Sequence, residues 1–174
     1  MKLRDQVAQA LAPLVGLPLR DTGRALNMQM FDFGKPCKCR NYKGQEYEGW
    51  EYALHIECPW RIIGPDGIVV GDRDRCYPAD ESAEWEGFDP DAEKPSHLEA
   101  SISAWMEEHA EGPLTVERIE ADSVGGFRII LTGGFVLEAF PSDSLKGEYS
   151  EHWRIFKPAE DNSHFVVTGH GVEE

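Results

Sequence analysis

The chain has 174 residues, of which 41% are hydrophobic and 28% are charged, and its formal net charge is −15. This length suits one compact domain with a hydrophobic core of its own. Because a nucleic-acid backbone must be neutralised by clustered cations, the acidic balance argues against nucleic-acid binding. No apolar run reaches the length of a membrane span, and the first residues lack the apolar core of a signal peptide. We therefore expect a cytoplasmic protein that does not bind a membrane.

The negative charge is unevenly distributed along the chain. Through Arg75 there are 11 Lys and Arg against 10 Asp and Glu, whereas the remainder holds 6 against 22. Opposite fields speed the encounter of two proteins and suppress wrong partners, so the second part is suited to a basic protein partner or a cationic ligand. The alternative is that the acidity only keeps the protein soluble.

The first part of the chain predicts a helix, a strand and a loop. Residues 2–15 carry apolar side chains at helical spacing, which predicts an amphipathic helix. Residues 22–34 alternate between apolar and polar side chains, as a strand requires. Four cations and no acid follow in residues 35–43. We expect this stretch to be an exposed loop.

Residues 46–78 hold the densest set of groups capable of chemistry. The alternation over residues 52–61 predicts a half-buried strand, the sequence Gly-Pro-Asp-Gly at 64–67 predicts a turn, and residues 68–70 predict the returning strand. This hairpin brings Glu57 beside residues 71–75, whichever register it takes. The candidate ligand pocket or acid–base site consists of His55, Glu57, Arg61, Asp72, Arg73, Asp74 and Arg75. The alternative, which we favour, is that these residues form a structural network of hydrogen bonds and ion pairs.

An acidic stretch follows the hairpin. Residues 79–93 contain seven acids and no cation, together with Trp85 and Phe88. A purely solvating segment would be poor in aromatic residues, so this stretch is expected to dock on the protein itself or on a partner. The predicted partner-binding surface consists of Asp80, Glu81, Glu84, Trp85, Glu86, Phe88 and Asp89.

The remaining sequence predicts one helix and several strands. Ser96 followed by Glu99 is a capping box, which predicts a helix start. Strands are expected at 114–121, 126–132, 135–140, 149–157 and 164–168. The predicted fold is a single α+β domain spanning 1–174, with a mostly antiparallel sheet of six to seven strands and two helices packed on one face.

Four cysteines raise the question of a metal. Structural zinc sites usually take their ligands from two tight pairs, and this chain has one pair, with a single residue between its members. The candidate ligands are Cys37, Cys39, Cys58 and Cys76. We expect reduced thiols, no metal and no cofactor. The sequence also lacks a metalloprotease motif, a phosphate-binding loop and a nucleophile elbow, which favours a protein that is not an enzyme.

Several segments resemble parts of small bacterial proteins, some of them similar to the immunity proteins of polymorphic toxin systems. The segments are Leu54 to Arg61, Gly71 to Arg75, Glu151 to Phe156 and His164 to Val167. The resemblance spans most of the chain from Leu14 onward, and it implies a protein-binding function without assigning a role to any residue. We therefore expect a non-enzymatic, immunity-type binding protein that covers a basic partner, and the alternative is a small-molecule site or enzyme around His55, Glu57 and Arg61.

Overall fold

The computed structural model describes residues 1–41, 43–84, 86–92, 95–147, 150–160 and 164–173. The α-helices are α1 (Leu3–Leu11) and α2 (His97–Glu108). The strands, in chain order, are β1 (Leu19–Ala25), β2 (Met28–Arg40), β3 (Glu46–Ile56), β4 (Trp60–Gly64), β5 (Gly67–Gly71), β6 (Val116–Ala121), β7 (Phe127–Leu131), β8 (Phe135–Ala139), β9 (Glu151–Phe156), β10 (Phe165–Thr168) and β11 (Gly171–Glu173).

The strands form two sheets. One sheet has six strands in the order β1-β2-β3-β9-β10-β11, the other has five in the order β5-β4-β8-β7-β6, and neighbouring strands are antiparallel. The predicted α+β class and the antiparallel pairing are confirmed. The strands divide between two sheets, however, because the chain leaves one sheet and enters the other between β3 and β4.

This passage interrupts the strand that the sequence predicts over residues 52–61. Glu57 and Cys58 both donate their backbone N–H groups to the carbonyl of His152, at 2.9 and 3.0 Å, and β4 begins at Trp60 in the other sheet. Pro59 has no N–H for a ladder, and its carbonyl accepts from Phe140. The alternation of apolar and polar residues continues across residues 57–59 because both sheets face the same core. The sequence pattern therefore does not mark the change of sheet.

The structure also differs from the exposed loop that the sequence predicts over residues 35–43. Strand β2 continues to Arg40 and pairs with β3, with Cys37 opposite Gly49 and Arg40 opposite Glu46. A shift in register lies between Phe33 and Pro36, where Gly34 has a φ of 91°. This bulge accommodates a proline that cannot donate to the ladder.

The core lies between the inner faces of the two sheets. Phe31 and Trp60 make an edge-to-face contact with ring centroids 5.3 Å apart, and Phe127 and Trp153 make another at 5.0 Å. Each pair joins a strand of one sheet to a strand of the other. Buried residues from both sheets and both helices belong to a single hydrophobic cluster.

The helices contact the outer strands of the five-stranded sheet, α1 at β6 and α2 at β5. The predicted capping box is confirmed: the Ser96 side chain accepts from the backbone N–H of Glu99, and the Glu99 carboxylate accepts from the backbone N–H of Ser96. In the part of the chain that the structure describes, no helix has the length and apolar character to span a membrane.

Candidate functional site

The outer face of the six-stranded sheet carries a cluster of charged and aromatic side chains around His55. His55 on β3 lies opposite Arg154 on β9. The Arg154 guanidinium donates to both carboxylate oxygens of Glu151, and its Nη1 lies 3.3 Å from Nδ1 of His164. Phe156 touches both imidazoles, edge-on to His55 at 4.9 Å and stacked on His164 at 4.0 Å. The groups in this cluster therefore bind mainly to one another.

The electrostatics of this cluster keep His55 neutral. Burial and the charge of Arg154 lower the pKa of His55 to about 4. Burial, followed by the charge of Arg154, also lowers the pKa of His164. Burial and the nearby Glu151 raise the pKa of Glu57. Its charged neighbours are thus Glu151 and Arg154, and not the residues that follow β5.

Arg61 lies elsewhere, on the outer face of the five-stranded sheet. Its Nε donates to Glu138 at 2.7 Å, and the other oxygen of that carboxylate accepts from Arg128 at 2.8 Å. Arg128 also binds Glu120, which pairs with Arg118. The result is a ladder of alternating charges across β4, β8, β7 and β6. The sequence did not predict this ladder, although Arg118 and Glu120 occupy alternate positions of one strand.

Residues 72–76 form a short 3-10 helix directly after β5. Asp74 accepts the backbone N–H of Gly71 at 2.9 Å. Burial raises the pKa of Asp72. The side chains of Arg73 and Arg75 belong to this same turn, in which Arg73 is exposed and Arg75 half-buried. The predicted pocket residues are thus divided between the two sheets and the 3-10 helix, because the hairpin they were assigned to changes sheet.

The cysteines do not converge on one point. The sulfurs of Cys37 and Cys39 lie 3.4 Å apart, Cys58 is buried in the core, and Cys76 is exposed. Within the described ranges, no group of three or more His, Cys, Asp or Glu side chains is arranged to hold a metal ion. The described structure therefore gives no support to a four-cysteine zinc site, since strand geometry joins only the two thiols of the Cys-x-Cys pair.

The acidic segment, which we define as residues 80–91, lies between the 3-10 helix and α2. Phe88 is half-buried, and Trp85 lies outside the described residues. The predicted partner-binding carboxylates are exposed; they are Asp80, Glu81, Glu84, Glu86 and Asp89. No cation among the described residues forms an ion pair with any of these five.

One side chain of β1 fixes the end of the acidic segment. Arg24, only 13% exposed, pairs with Asp91 at 2.9 Å and donates to the carbonyl of Pro90 at 2.7 Å. It also binds Glu99 at the start of α2. The sequence gives no local signal for this contact, because Arg24 lies more than sixty residues away.

Cavities occur beside residues that the sequence analysis did not select. One of them, about 710 Å³, is lined by buried His152 and by Asp143, whose Oδ2 lies 4.0 Å from Nδ1 of His152. Another, about 340 Å³, lies between Trp50, Trp105 and Arg20. At 4.0 Å the His152–Asp143 contact is too long for a hydrogen bond, so it does not form an acid–base pair by itself.

Comparison of the chain with protein-family models, with curated proteins and with solved structures gives no significant match. The function of the chain is therefore inferred from the geometry described above.

Proposed function

We propose that this chain is a non-enzymatic binding protein that engages a basic protein partner through the acidic segment. The observation that carries the proposal is the set of five exposed carboxylates between Asp80 and Asp89, none of which is neutralised by a cation of the described residues. Exposed carboxylates that no cation of the described residues neutralises are available to a cation outside the chain, and a concentrated negative field speeds the approach of a cationic surface.

The anchoring of the segment supports this proposal. Binding orders loops and side chains at a cost in entropy, and that cost falls when the loop is already held. Arg24 holds the segment at Pro90 and Asp91, so its end is fixed before any partner arrives. Half-buried Phe88 adds an aromatic side chain among the acids, and aromatic residues are enriched in protein–protein interfaces.

The resemblance to immunity proteins suggests which class of protein the partner belongs to. An immunity-type protein would cover a toxin domain of the same bacterium in the cytoplasm, and a toxin domain with a basic surface would complement the acidic segment. The cluster around His55 favours this reading over an enzyme, because Arg154 is already engaged by Glu151 and Arg61 by Glu138.

The test compares two variants that change the net charge equally. In the first, Glu81→Gln, Glu84→Gln, Glu86→Gln and Asp89→Asn neutralise four of the five exposed carboxylates of the acidic segment. In the matched control, Glu107→Gln, Glu108→Gln, Glu111→Gln and Glu117→Gln neutralise exposed acids elsewhere. Tagged wild-type protein is cross-linked in host lysate, and the captured proteins are identified by mass spectrometry.

We expect a cationic protein that is captured by the wild type and by the control, is lost with the first variant, and is released as salt is raised. Equal loss in both variants would show that only net charge matters. Equal capture by all three proteins would show that the acidic segment takes no part. Either result overturns the proposal.

A further inference from the structure

The two thiols of the Cys-x-Cys pair are in contact. Cys37 and Cys39 project from the same face of β2, and their Sγ atoms lie 3.4 Å apart. Cys39 is 1% exposed, whereas Cys37 is half-buried and open to solvent. The pair therefore has one accessible thiol and one protected thiol directly behind it.

The neighbouring strand leaves room for the protected thiol. Gly49 lies opposite Cys37 in the ladder, and a Cβ at position 49 would come 2.9 Å from Sγ of Cys39 and 3.1 Å from the ring of Tyr47. The absence of a side chain at Gly49 thus lets the Cys39 sulfur lie against β3, where it meets the Cys37 sulfur.

We propose that Cys37 and Cys39 form a redox-modification site that reacts with low-molecular-weight disulfides of the glutathione type. Cys37 is the attacking thiol because it is accessible, and Cys39 is the resolving thiol because it touches Cys37 from the protected side. This proposal is independent of the binding function of the acidic segment.

The exchange takes place in two balanced steps. The Cys37 thiolate attacks one sulfur of glutathione disulfide, the sulfur–sulfur bond breaks, and one glutathione leaves with the electron pair and a proton. The Cys39 thiolate then attacks the Cys37 sulfur of the mixed disulfide, and the second glutathione leaves in the same way. Overall, the two protein thiols lose two electrons and two protons, and one glutathione disulfide becomes two glutathione molecules.

The geometry of a strand makes the product easy to reduce. Residues two apart on a strand have Cα atoms about 6.4–6.8 Å apart, at the upper end of the range that a disulfide spans. A disulfide between Cys37 and Cys39 would form at the limit of this range, and disulfides under strain are the labile ones. Closing a loop of three residues also adds little stability through chain entropy. Reversible modification is the expected behaviour.

The pH dependence follows from the surroundings of Cys37. Burial, together with the hydrogen bond that the Cys37 thiol donates to Cys39, raises the pKa of Cys37 to about 11. The thiolate is thus a small fraction at neutral pH, and the rate of the first step should rise about tenfold per pH unit between pH 7 and 9.

The experiment incubates the protein with oxidised glutathione at pH 8.5 and follows intact mass and peptide masses. In the wild type we expect the peptide holding Cys37 and Cys39 to lose two hydrogens. In Cys39→Ser we expect one glutathione to remain on Cys37, and in Cys37→Ser we expect modification of this peptide to slow at least tenfold. Cys76→Ser, which removes the exposed thiol, is the matched control and should retain the loss of two hydrogens.

Gly49→Ala supplies a second readout in which both cysteines remain. The added methyl group displaces the Cys39 sulfur, so the mixed disulfide on Cys37 should accumulate, and circular dichroism checks that the sheet is intact. The proposal is overturned if wild-type Cys37 keeps its glutathione. It is equally overturned if Cys76 reacts while Cys37 and Cys39 stay reduced.

Discussion

His55 and Arg154 lie directly opposite each other on β3 and β9, so a half-buried imidazole faces a guanidinium across the ladder. A second positive charge at this position would be repelled by the first. Arg154 keeps its charge through its two bonds to Glu151, and the imidazole is therefore the group that stays neutral.

This relationship predicts acid sensitivity at His55. Burial and Arg154 lower the pKa of His55 from 6.5 to about 4, so the unfolded chain binds the proton more readily than the folded one. Stability is therefore lost as the pH falls from about 6.5 towards 4. His55→Gln should reduce the difference in unfolding free energy between pH 7.5 and 4.5 by about 1–2 kcal/mol. Urea denaturation measures this difference.

His170→Gln is the control for this experiment, because His170 is exposed. Each variant is compared with itself at the two pH values, so any constant cost of the substitution cancels. An unchanged pH dependence in His55→Gln would contradict the electrostatic account of the His55–Arg154 pair.

Asp32 predicts the opposite pH dependence of stability: it destabilises the folded protein at high pH, whereas His55 does so at low pH. It lies opposite Asp21 in the pairing of β1 with β2, and burial together with the Asp21 charge raises its pKa to about 6. Because the folded protein disfavours the charged carboxylate, stability is lost as the pH rises from about 4 to about 6. Asp32→Asn should therefore increase the unfolding free energy at pH 7.5 by about 1–2 kcal/mol and have little effect near pH 4.

Asp21→Asn separates the two causes of the Asp32 shift. It removes the neighbouring charge and leaves the burial of Asp32 unchanged, so its gain at pH 7.5 should be the smaller one, since burial is the larger cause. Denaturation curves at pH 4 and 7.5 give both values. If Asp32→Asn destabilises the protein at pH 7.5, the carboxylate has a favourable partner and the account is wrong.

Local signals in the sequence are the ones that predicted structure well. The capping box at Ser96 and Glu99 and the turn at residues 64–67 are each complete within four residues, and the structure confirms both. In the structure this turn pairs Ile63 with Ile68, one of the registers that the sequence left open. Such signals depend on backbone groups that are close in sequence, so a single chain is enough to recognise them.

The candidate site depended on distant contacts, and there the sequence was insufficient. His55 meets Arg154 and Arg61 meets Glu138, and both partners lie more than seventy residues away along the chain. Period-two alternation says which residues share a face of a strand, but it does not say which sheet the strand enters. The chain changes sheet at Glu57 to Pro59, and this places His55 and Arg61 in different sheets. The alternation of apolar and polar residues continues through this segment, so the sequence pattern does not show the change.

The charge ladder predicts a salt-dependent stability. Glu138 is 14% exposed and accepts from both Arg61 and Arg128, so its removal leaves two guanidinium groups without their shared acceptor. Glu138→Gln should lower the unfolding free energy by about 1 kcal/mol at low salt, and by less in 1 M NaCl. Glu117→Gln, an exposed acid on β6, is the control and should have a smaller effect. If Glu138→Gln lowers the unfolding free energy equally at low and high salt, the lost stability comes from packing and not from charge.

Arg24 predicts how firmly the acidic segment is held. Its guanidinium binds Asp91, the Pro90 carbonyl and Glu99, and its side chain is 13% exposed. Arg24→Gln removes the charge and most of these bonds, so the segment should detach more often from β1. Cleavage by a glutamate-specific protease at Glu84 and Glu86 should then become several-fold faster, because proteolysis follows the population of open conformations. Mass spectrometry of the fragments locates the cuts.

Arg40→Gln is the control for this measurement, since Arg40 pairs with Glu46 at the exposed end of the β2–β3 hairpin, and its side chain is 73% exposed. Surface pairs of this kind contribute little, so cleavage in the acidic segment should stay at the wild-type rate. Denaturation curves for both variants separate local opening from global unfolding. If Arg24→Gln is cleaved no faster than wild type while its unfolding free energy is unchanged, the segment is held by contacts other than Arg24. Arg24 would then not be the residue that orders the acidic segment for partner binding.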